Sequence, residues 1–243
     1  MALHFVTADA GAASDVVRIS GDEARHAATV RRVRPGEHVT VGDGRGAWIE
    51  GECVSVSPAL VEVRVHSTRT IPAASPRLVL VQALAKGDHD ERAAQAACEL
   101  GADVIEPWQA ARSVSRWEGA KRDKGRSRWA SIVREAAKQS HRAWIPDVAD
   151  VSTTAGLVDR CSDARVYLLE PTALLRLSAQ APSADDPRDV VLIVGPEGGV
   201  APDEIAALTD AGALPVRLGE TVLRTSTAGP AAIALLNVAL GRW

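Results

Sequence analysis

The strongest constraint on the fold is a change of hydrophobic period across "TIPAASP", residues 70–76. Before it, "VVRIS" (16–20), "EHVTVGDG" (37–44), "AWIEGECVSV" (47–56) and "LVEVRVHSTRT" (60–70) read as short strands separated by turns. Their period-two alternation is clearest at Val61, Val63 and Val65. One helix is expected among them, "DEARHAATVRRV", with Asp22 as its N-cap and "RPGE" as its closing turn. After it, buried-strand runs alternate with helical segments. "RLVLVQAL" leads to the helix "HDERAAQAACEL", closed by Gly101 in the C′ position, and then to "ADVIEP". "SRWASIVREAAKQSHR" is an amphipathic helix with Ile132, Val133, Ala136 and Ala137 on one side. "ARVYLLE", "DVVLIVG" and "LPVRLG" follow as strands, with helices "PDEIAALTDAG" and "AGPAAIALLNVALG" between and after them. Such alternation implies a parallel sheet covered on both faces, because parallel neighbours need a crossover connection. The expected class is therefore α/β, with a small β module over 1–72 and a parallel α/β domain over 73–243. There is no internal repeat, and "SAQAPSADDPRD" (178–189) is the most loop-like stretch.

Composition narrows the function classes. With 243 residues and 46% apolar composition the chain can bury one large core or two modest ones. No run of roughly 18 apolar residues occurs, and the N-terminus lacks the basic and apolar regions of a leader, so a cytoplasmic protein without a membrane span is expected. Cys53, Cys98 and Cys161 lie far apart in no metal or disulfide spacing, and read as buried thiols with no metal site. The net charge of −3 is unevenly spread: from Arg112 to Arg142 ten Lys/Arg face three acids, a net +7 that leaves −10 for the remainder. A local polyanion site on an otherwise acidic protein fits that asymmetry; a solvated helix face is the plainer alternative.

Two loops carry the chemistry. "IVGPEGGVAPDEI" places Gly195, Pro196, Glu197, Gly198 and Gly199 after a buried strand and before a helix that opens with Pro202, Asp203 and Glu204. Ligands of open parallel sheets bind outside the carboxyl ends of strands. This loop lacks the Lys-Ser/Thr of a phosphate loop, and its acids favour a neutral or cationic ligand. "LGETVLRTSTAGPAAIALL" (218–236) sets Thr225, Ser226 and Thr227 in a row after Arg224, although a helix cap needs one hydroxyl. Leu218, Gly219, Leu223 and the backbone from Arg224 to Ala228 are expected to wall one cavity with the glycine loop, the hydroxyls satisfying backbone groups that have no ladder partner. Pro230 falls in the first turn if Thr227 is the N-cap, and inside the helix if the helix starts earlier.

"GPEGG" followed by "LG-x-x-V-L-R-T-x-T-A", together with "ALAKGD", "ELGAD", "PWQAARSV" and "EAAKQSHRAWIP" in the same order, resembles the RsmE family, the 16S ribosomal RNA uridine N3 methyltransferases of the SPOUT superfamily. The resemblance covers nearly the whole chain. It implies an N-terminal PUA-like β-barrel, a parallel α/β SPOUT domain with a deep trefoil knot, S-adenosyl-L-methionine as cofactor, and a homodimer acting on a uridine near the 3′ end of 16S rRNA, in the decoding region of the small (30S) ribosomal subunit. It places the cofactor against Leu169 and Glu170, against Gly195, Pro196, Glu197, Gly198 and Gly199, and against Leu218, Gly219, Leu223, Arg224, Thr225, Thr227 and Ala228. Ser226 stands where glutamate is frequent in the family, so a base at that position does not carry over.

Arg112 and Ser113 match the "RSV" motif expected near the methyl donor and the RNA. With Arg116, Arg134, Lys138, Gln139 and Arg142 they form a cationic surface for phosphates. Trp117, Trp129 and Trp144 are interleaved with these charges, as stacking platforms or as core anchors. Lys86 is a further phosphate candidate; Arg25, His26, Arg31, Arg32 and Arg34 are the candidates in the β module. Glu197 and Arg224 are the catalytic candidates, Arg224 stabilising charge on a carbonyl oxygen rather than acting as base. Two other readings are a knotted transfer RNA ribose methyltransferase and a noncatalytic RNA-binding assembly factor.

Overall fold

The computed structural model describes residues 2–12, 15–183 and 185–243. The chain divides into two compact units: one runs to Ala73 and takes up Ala137–Ile145, the other comprises Ala74–Ala136 and Pro146–Trp243.

The first unit is a five-stranded sheet of β1 (Leu3–Val6), β2 (Val16–Ser20), β3 (His38–Gly42), β4 (Ala47–Val56) and β5 (Leu60–Thr70), in the order β1-β3-β4-β5-β2. The β1–β3 pair is parallel and the other pairs are antiparallel. The sheet curls into a half-barrel whose ladder does not close between β1 and β2. Val61 and Val63 point inward with Val17, Ile19, Val39, Val41, Ile49 and Cys53, as the period-two pattern of their strands requires. The expected helix is split: α1 (Gly21–Arg25) is followed by a π-helical turn, His26–Val30. Its N-cap is Ser20 rather than Asp22, because Ser20 keeps the extended backbone of β2 (φ −128°, ψ 176°) while Asp22 sits in the first turn and pairs with Arg25 at 3.1 Å.

Buried polar groups in this unit converge on His4. Its ring stacks on Trp48 (centroids 4.6 Å, interplanar angle 12°), lies 5.5 Å from the ring of His141, and joins Thr40 Oγ1 through Nδ1 at 2.9 Å. Lys138 and Glu23 form a 2.9 Å ion pair in the same unit, their side chains only 4% and 14% exposed. Burial, and then the nearby His141 and Lys138, push the His4 pKa from the ordinary 6.5 down to about 4. Between those values the unfolded chain binds more protons than the folded one. His4 therefore costs the fold nothing above pH 6.5, and stability falls by roughly 3 kcal/mol in all as pH drops towards 4. His4→Gln is expected to flatten the pH dependence of urea unfolding between pH 6.5 and 4 relative to wild type; an unchanged slope would contradict a neutral buried His4.

The second unit is a seven-stranded, all-parallel sheet in the order β10-β12-β9-β11-β6-β7-β8. Its strands are β6 (Leu78–Ala83), β7 (Val104–Trp108), β8 (Asp147–Val148), β9 (Arg165–Leu169), β10 (Leu175–Arg176), β11 (Val190–Val194) and β12 (Leu214–Arg217). Helices α2 (His89–Glu99), α3 (Ala120–Gln139), α4 (Thr154–Arg160), α5 (Leu177–Gln180), α6 (Pro202–Asp210) and α7 (Thr225–Ala239) connect and cover them. Every residue of β6, β7 and β11 is buried, which explains why β11 is apolar throughout and why β6 and β7 each carry a single polar or charged side chain, Gln82 and Glu106. Gly101 follows the α2 C-cap Leu100 with φ 101°, a left-handed C′ glycine, and Asn237 Nδ2 donates to Leu100 O at 2.5 Å, joining α7 to the end of α2.

Three local expectations change. Helix α3 begins at Ala120, earlier than its apolar pattern suggests. Helix α7 begins at Thr225 with Arg224 as N-cap, so Pro230 lies inside it and the Ser226 carbonyl loses its i+4 donor. The 178–189 segment, whose Ala184 falls outside the described residues, opens with the last turn of α5 and is anchored at Asp186. That carboxylate accepts from Arg165 Nη1 at 3.1 Å and Arg188 Nη2 at 2.8 Å, and the arginine hydrogen bonds hold its pKa well below the usual range. Among the described residues no helix is long and apolar enough to cross a membrane.

Candidate functional site

A cavity of about 480 Å³ opens at the carboxyl ends of β9, β11 and β12 in the second unit. Ordinary small-molecule sites span roughly 300–1,000 Å³. Leu169 and Glu170 leave β9 on one side, Gly195, Pro196, Glu197 and Gly199 leave β11 on another, and Leu218, Gly219, Leu223, Arg224, Thr225 and Ala228 close it after β12. Of the expected cofactor residues only Gly198 and Thr227 stand off its wall. Gly198 faces Arg112, whose Nη1 donates to Gly198 O at 3.1 Å, and Thr227 is exposed.

Thr225 answers for the row of hydroxyls. It is buried, accepts from Gln82 Nε2 at 2.9 Å and donates to Gly195 O at 2.7 Å, so the start of α7 is tied to the end of β6 and to the glycine loop. Ser226 and Thr227 make no comparable tie among the described bonds: one hydroxyl does what the sequence assigned to three. Gly195 has no room for a side chain, since a Cβ there would meet Val200 Cγ2 at 2.6 Å, and Gly199 turns the loop at φ 71°.

The acids of the loop have separate uses. Glu197 lines the cavity and its Oε1 accepts from the Lys86 backbone N–H at 3.1 Å, fastening the β6–α2 loop to the glycine loop. Glu170 Oε1 accepts from Thr172 N–H at 3.1 Å and from its hydroxyl at 2.8 Å. Glu204, expected to repel an anion at the helix start, is instead buried and committed to internal donors. The carboxylates on the cavity wall are therefore Glu170 and Glu197, and the cations Arg217 and Arg224.

The cationic candidates divide. In the second unit Lys86, Arg112, Arg116 and Arg134 are exposed, with Arg116 Nη2 on Ala111 O at 3.3 Å; Ser113 is buried and its hydroxyl finds no partner within the described protein. In the first unit Arg25, Arg31, Arg32 and Gln139 are exposed and Arg142 is half-buried. Lys138 is a correction: its buried ion pair with Glu23 removes it from any phosphate-facing surface. Trp129 is another, 1% exposed and edge-on to Trp117 at 5.3 Å, so it is a core anchor and no platform for a base. Trp144 is half-buried and donates its Nε1 hydrogen to Ile71 O at 2.8 Å. Cys161 is only half-buried, unlike Cys53 and Cys98.

Sequence reading missed Gln82, His89, Arg217, Thr221 and Val222 at or beside the cavity. Gln82 carried a signal: it is the single polar residue in "LVLVQA", a strand buried at every position. Among the described residues no group of three His, Cys, Asp or Glu is placed to hold a metal ion.

The family model described as RNA methyltransferase domain matches residues 73–237, and one described as RNA methyltransferase PUA domain matches 19–65. Fold and site together thus define an RNA methyltransferase. Ribosomal RNA small subunit methyltransferase E of Mycobacterium tuberculosis is 46% identical over 237 residues (94% of this chain, 88% of the relative), and that of Bacillus subtilis 31% identical over 229 (90% and 88%). The crystal structure of ribosomal RNA small subunit methyltransferase E from Neisseria gonorrhoeae bound to S-adenosyl methionine is 27% identical, covers 98% of each chain and superposes with a TM-score of 0.85. The chain belongs to the ribosomal RNA small subunit methyltransferase E family.

Thr225→Val keeps the shape and removes both bonds, leaving the Gln82 amide with only its bond to Ala83 O at 3.2 Å and the half-buried Gly195 carbonyl without this donor. A loss of about 2 kcal/mol in denaturant unfolding is expected, against less than about 0.5 for Thr227→Val. Equal losses would deny Thr225 its special place.

Proposed function

We propose that this protein uses S-adenosyl-L-methionine to methylate N3 of a uridine near the 3′ end of 16S ribosomal RNA, in the decoding region of assembled small ribosomal subunits in the cytoplasm. The observation that carries the reading is that three strand ends and the bare glycine loop wall one cavity. Its residues fit the cofactor: the backbone at Gly195 and Gly199 is free of side chains, and Glu170 and Glu197 supply negative charge beside a cationic ligand. When bound, that cofactor supplies an electrophilic methyl group on a positively charged sulfur.

The chain's own residues then position and balance charge. N3 lies on the Watson–Crick edge, so the target base must leave any duplex to reach the cavity. Arg224 is exposed at the cavity wall, with its backbone fixed by its carbonyl accepting from Thr227 N–H at 2.8 Å and Ala228 N–H at 3.0 Å. Its guanidinium stabilises the charge that develops on a uracil carbonyl oxygen when the N3 proton leaves. Glu197, held through Lys86, is the carboxylate within the same wall that accepts that proton and passes it to solvent. Lys86, Arg112, Arg116 and Arg134 hold phosphates of the substrate strand, and Arg25, Arg31 and Arg32 extend the RNA contact within an RNA-binding domain over 1–72, with 73–243, apart from the 137–145 stretch that packs with the first unit, as the methyltransferase domain.

The same reading includes a knotted crossover and a homodimer. In support of the first, the chain leaves β12 outside β9 and returns at Thr225 beside β6 and β11. In support of the second, Val238 and Trp243 at the C-terminal end are 65% and 63% exposed.

Unmodified small-subunit particles and free 16S RNA, incubated with labelled cofactor and mapped for the methylated nucleotide, test the reaction. One N3-methyluridine near the 3′ end of the particle RNA is expected; a ribose-methylated nucleotide or no transfer overturns the reading. Arg224→Ala is expected to lower kcat by about 10²–10³-fold while cofactor affinity by calorimetry changes little. Undiminished turnover in the folded variant would remove Arg224 from the mechanism.

A further inference from the structure

The loop after β7 is fixed at two adjacent residues by two different means, one to the glycine loop and one to the helix α6 that follows it. Arg112 does it with its side chain, Nη1 reaching Gly198 O at 3.1 Å and Val200 O at 3.5 Å. Ala111 does it with its backbone, its N–H donating to Glu204 Oε1 at 2.9 Å. Glu204 is 6% exposed, and burying a carboxylate there is tolerable only with its oxygens satisfied. They are: Oε1 also accepts from Thr154 Oγ1 at 2.6 Å, and Oε2 from Ala201 N–H at 3.2 Å. Thr154 in turn accepts from Trp108 Nε1 at 3.3 Å, at the end of β7.

Helix capping explains only half of this. Ala201 is the N-cap of α6, and Oε2, by accepting from its N–H, makes the N3-to-N-cap half of a capping box at the positive helix end; Ala201 has no side-chain oxygen to supply the other half. Oε1 does nothing for the helix; it reaches the 111–112 segment and the start of α4. We propose that Glu204 is a positioning residue for Arg112: by holding Ala111 it aims the next side chain across the glycine loop, so that the cofactor loop and the RNA-contacting loop are set as one piece. The inference rests on the methyltransferase reading above. Within the described residues Arg112 gives only Nη1 to the protein, which leaves the other guanidinium nitrogens for a phosphate placed by that aim.

Non-additivity separates positioning from scaffolding. Glu204→Gln, Thr154→Val, Arg112→Ala and the double variants are assayed for methylation of unmodified small-subunit particles, for salt-dependent particle binding, and for cofactor Kd. Glu204→Gln is expected to lower kcat/KM for particles about tenfold or more with cofactor Kd within about twofold. It should reduce the salt slope of particle binding by about one, as Arg112→Ala does. In the Arg112→Ala background it should change kcat/KM by less than about twofold. Losses that multiply, or a cofactor Kd that weakens in step with kcat/KM, overturn the proposal. If Glu204→Gln does not fold, Thr154→Val, which removes one donor to the same oxygen, must show the same non-additivity in smaller measure. A wild-type protein that leaves the particles unmethylated overturns the parent reading and this one together; multiplying losses in an active enzyme overturn this one alone.

Discussion

Thr225 makes one donated and one accepted hydrogen bond, and the geometry of the cavity follows from that pair. The chain leaves β12 on the far side of β9 and must come back to lay α7 beside β6 and β11. A crossover of this kind has no ladder to hold it. The contact from Gln82 through Thr225 to the Gly195 carbonyl supplies the missing fixture, at a depth where an unpaired partner is expensive. Close approach on the same side is secured at Gly229, where a Cβ would meet Leu80 Cδ1 at 2.8 Å. The cavity is the space left between a glycine loop held from behind and a crossover held at its end.

The sites around that cavity share a design in which carboxylates serve backbone N–H groups of neighbouring loops. Glu197 holds the loop of Lys86, Glu204 holds the loop of Arg112, and Asp90 accepts from Ala85 N–H at 3.0 Å at the start of α2. Burial raises the Asp90 pKa against those hydrogen bonds. Each acid brings a strand-end loop to a fixed place, and the exposed cations ride on the loops so placed. Sequence charge alone reports the cations and not what aims them.

The longer strands and helices were legible in the sequence because period decides them; β1, β8, β10, α4 and α5, two to seven residues each, were too short to show one. Alternation marked β2 to β5, mostly apolar runs marked β6, β7, β9 and β11, and Gly101 marked a helix end. Helix starts were less legible: Thr225 begins α7 upstream of any apolar pattern because its first turn is fixed by Gln82 and Gly195, and the first turn of α3 from Ala120 is exposed and carries no apolar stripe. The resemblance in "GPEGG" and "LRTSTA" brought the cavity residues together in advance. Lys138 was not separable from its neighbours, since a buried ammonium and a solvated one look alike until Glu23, 115 residues away in sequence, is seen beside it. Glu204 hid for a similar reason: an acid in a helix's first turn is ordinary, and only the fold shows that one oxygen serves another loop.

Residues 137–145 belong with the first unit, though the chain reaches them only after building two strands of the second. A fragment cut at residue 73 would therefore strip the half-barrel of His141 and of the ammonium that neutralises Glu23, stranding a carboxylate in its interior. The two halves are not beads on a string. Neither can be transplanted as a single uninterrupted stretch of polypeptide, and the half-barrel cannot complete itself during synthesis until the ribosome has released almost sixty percent of the chain.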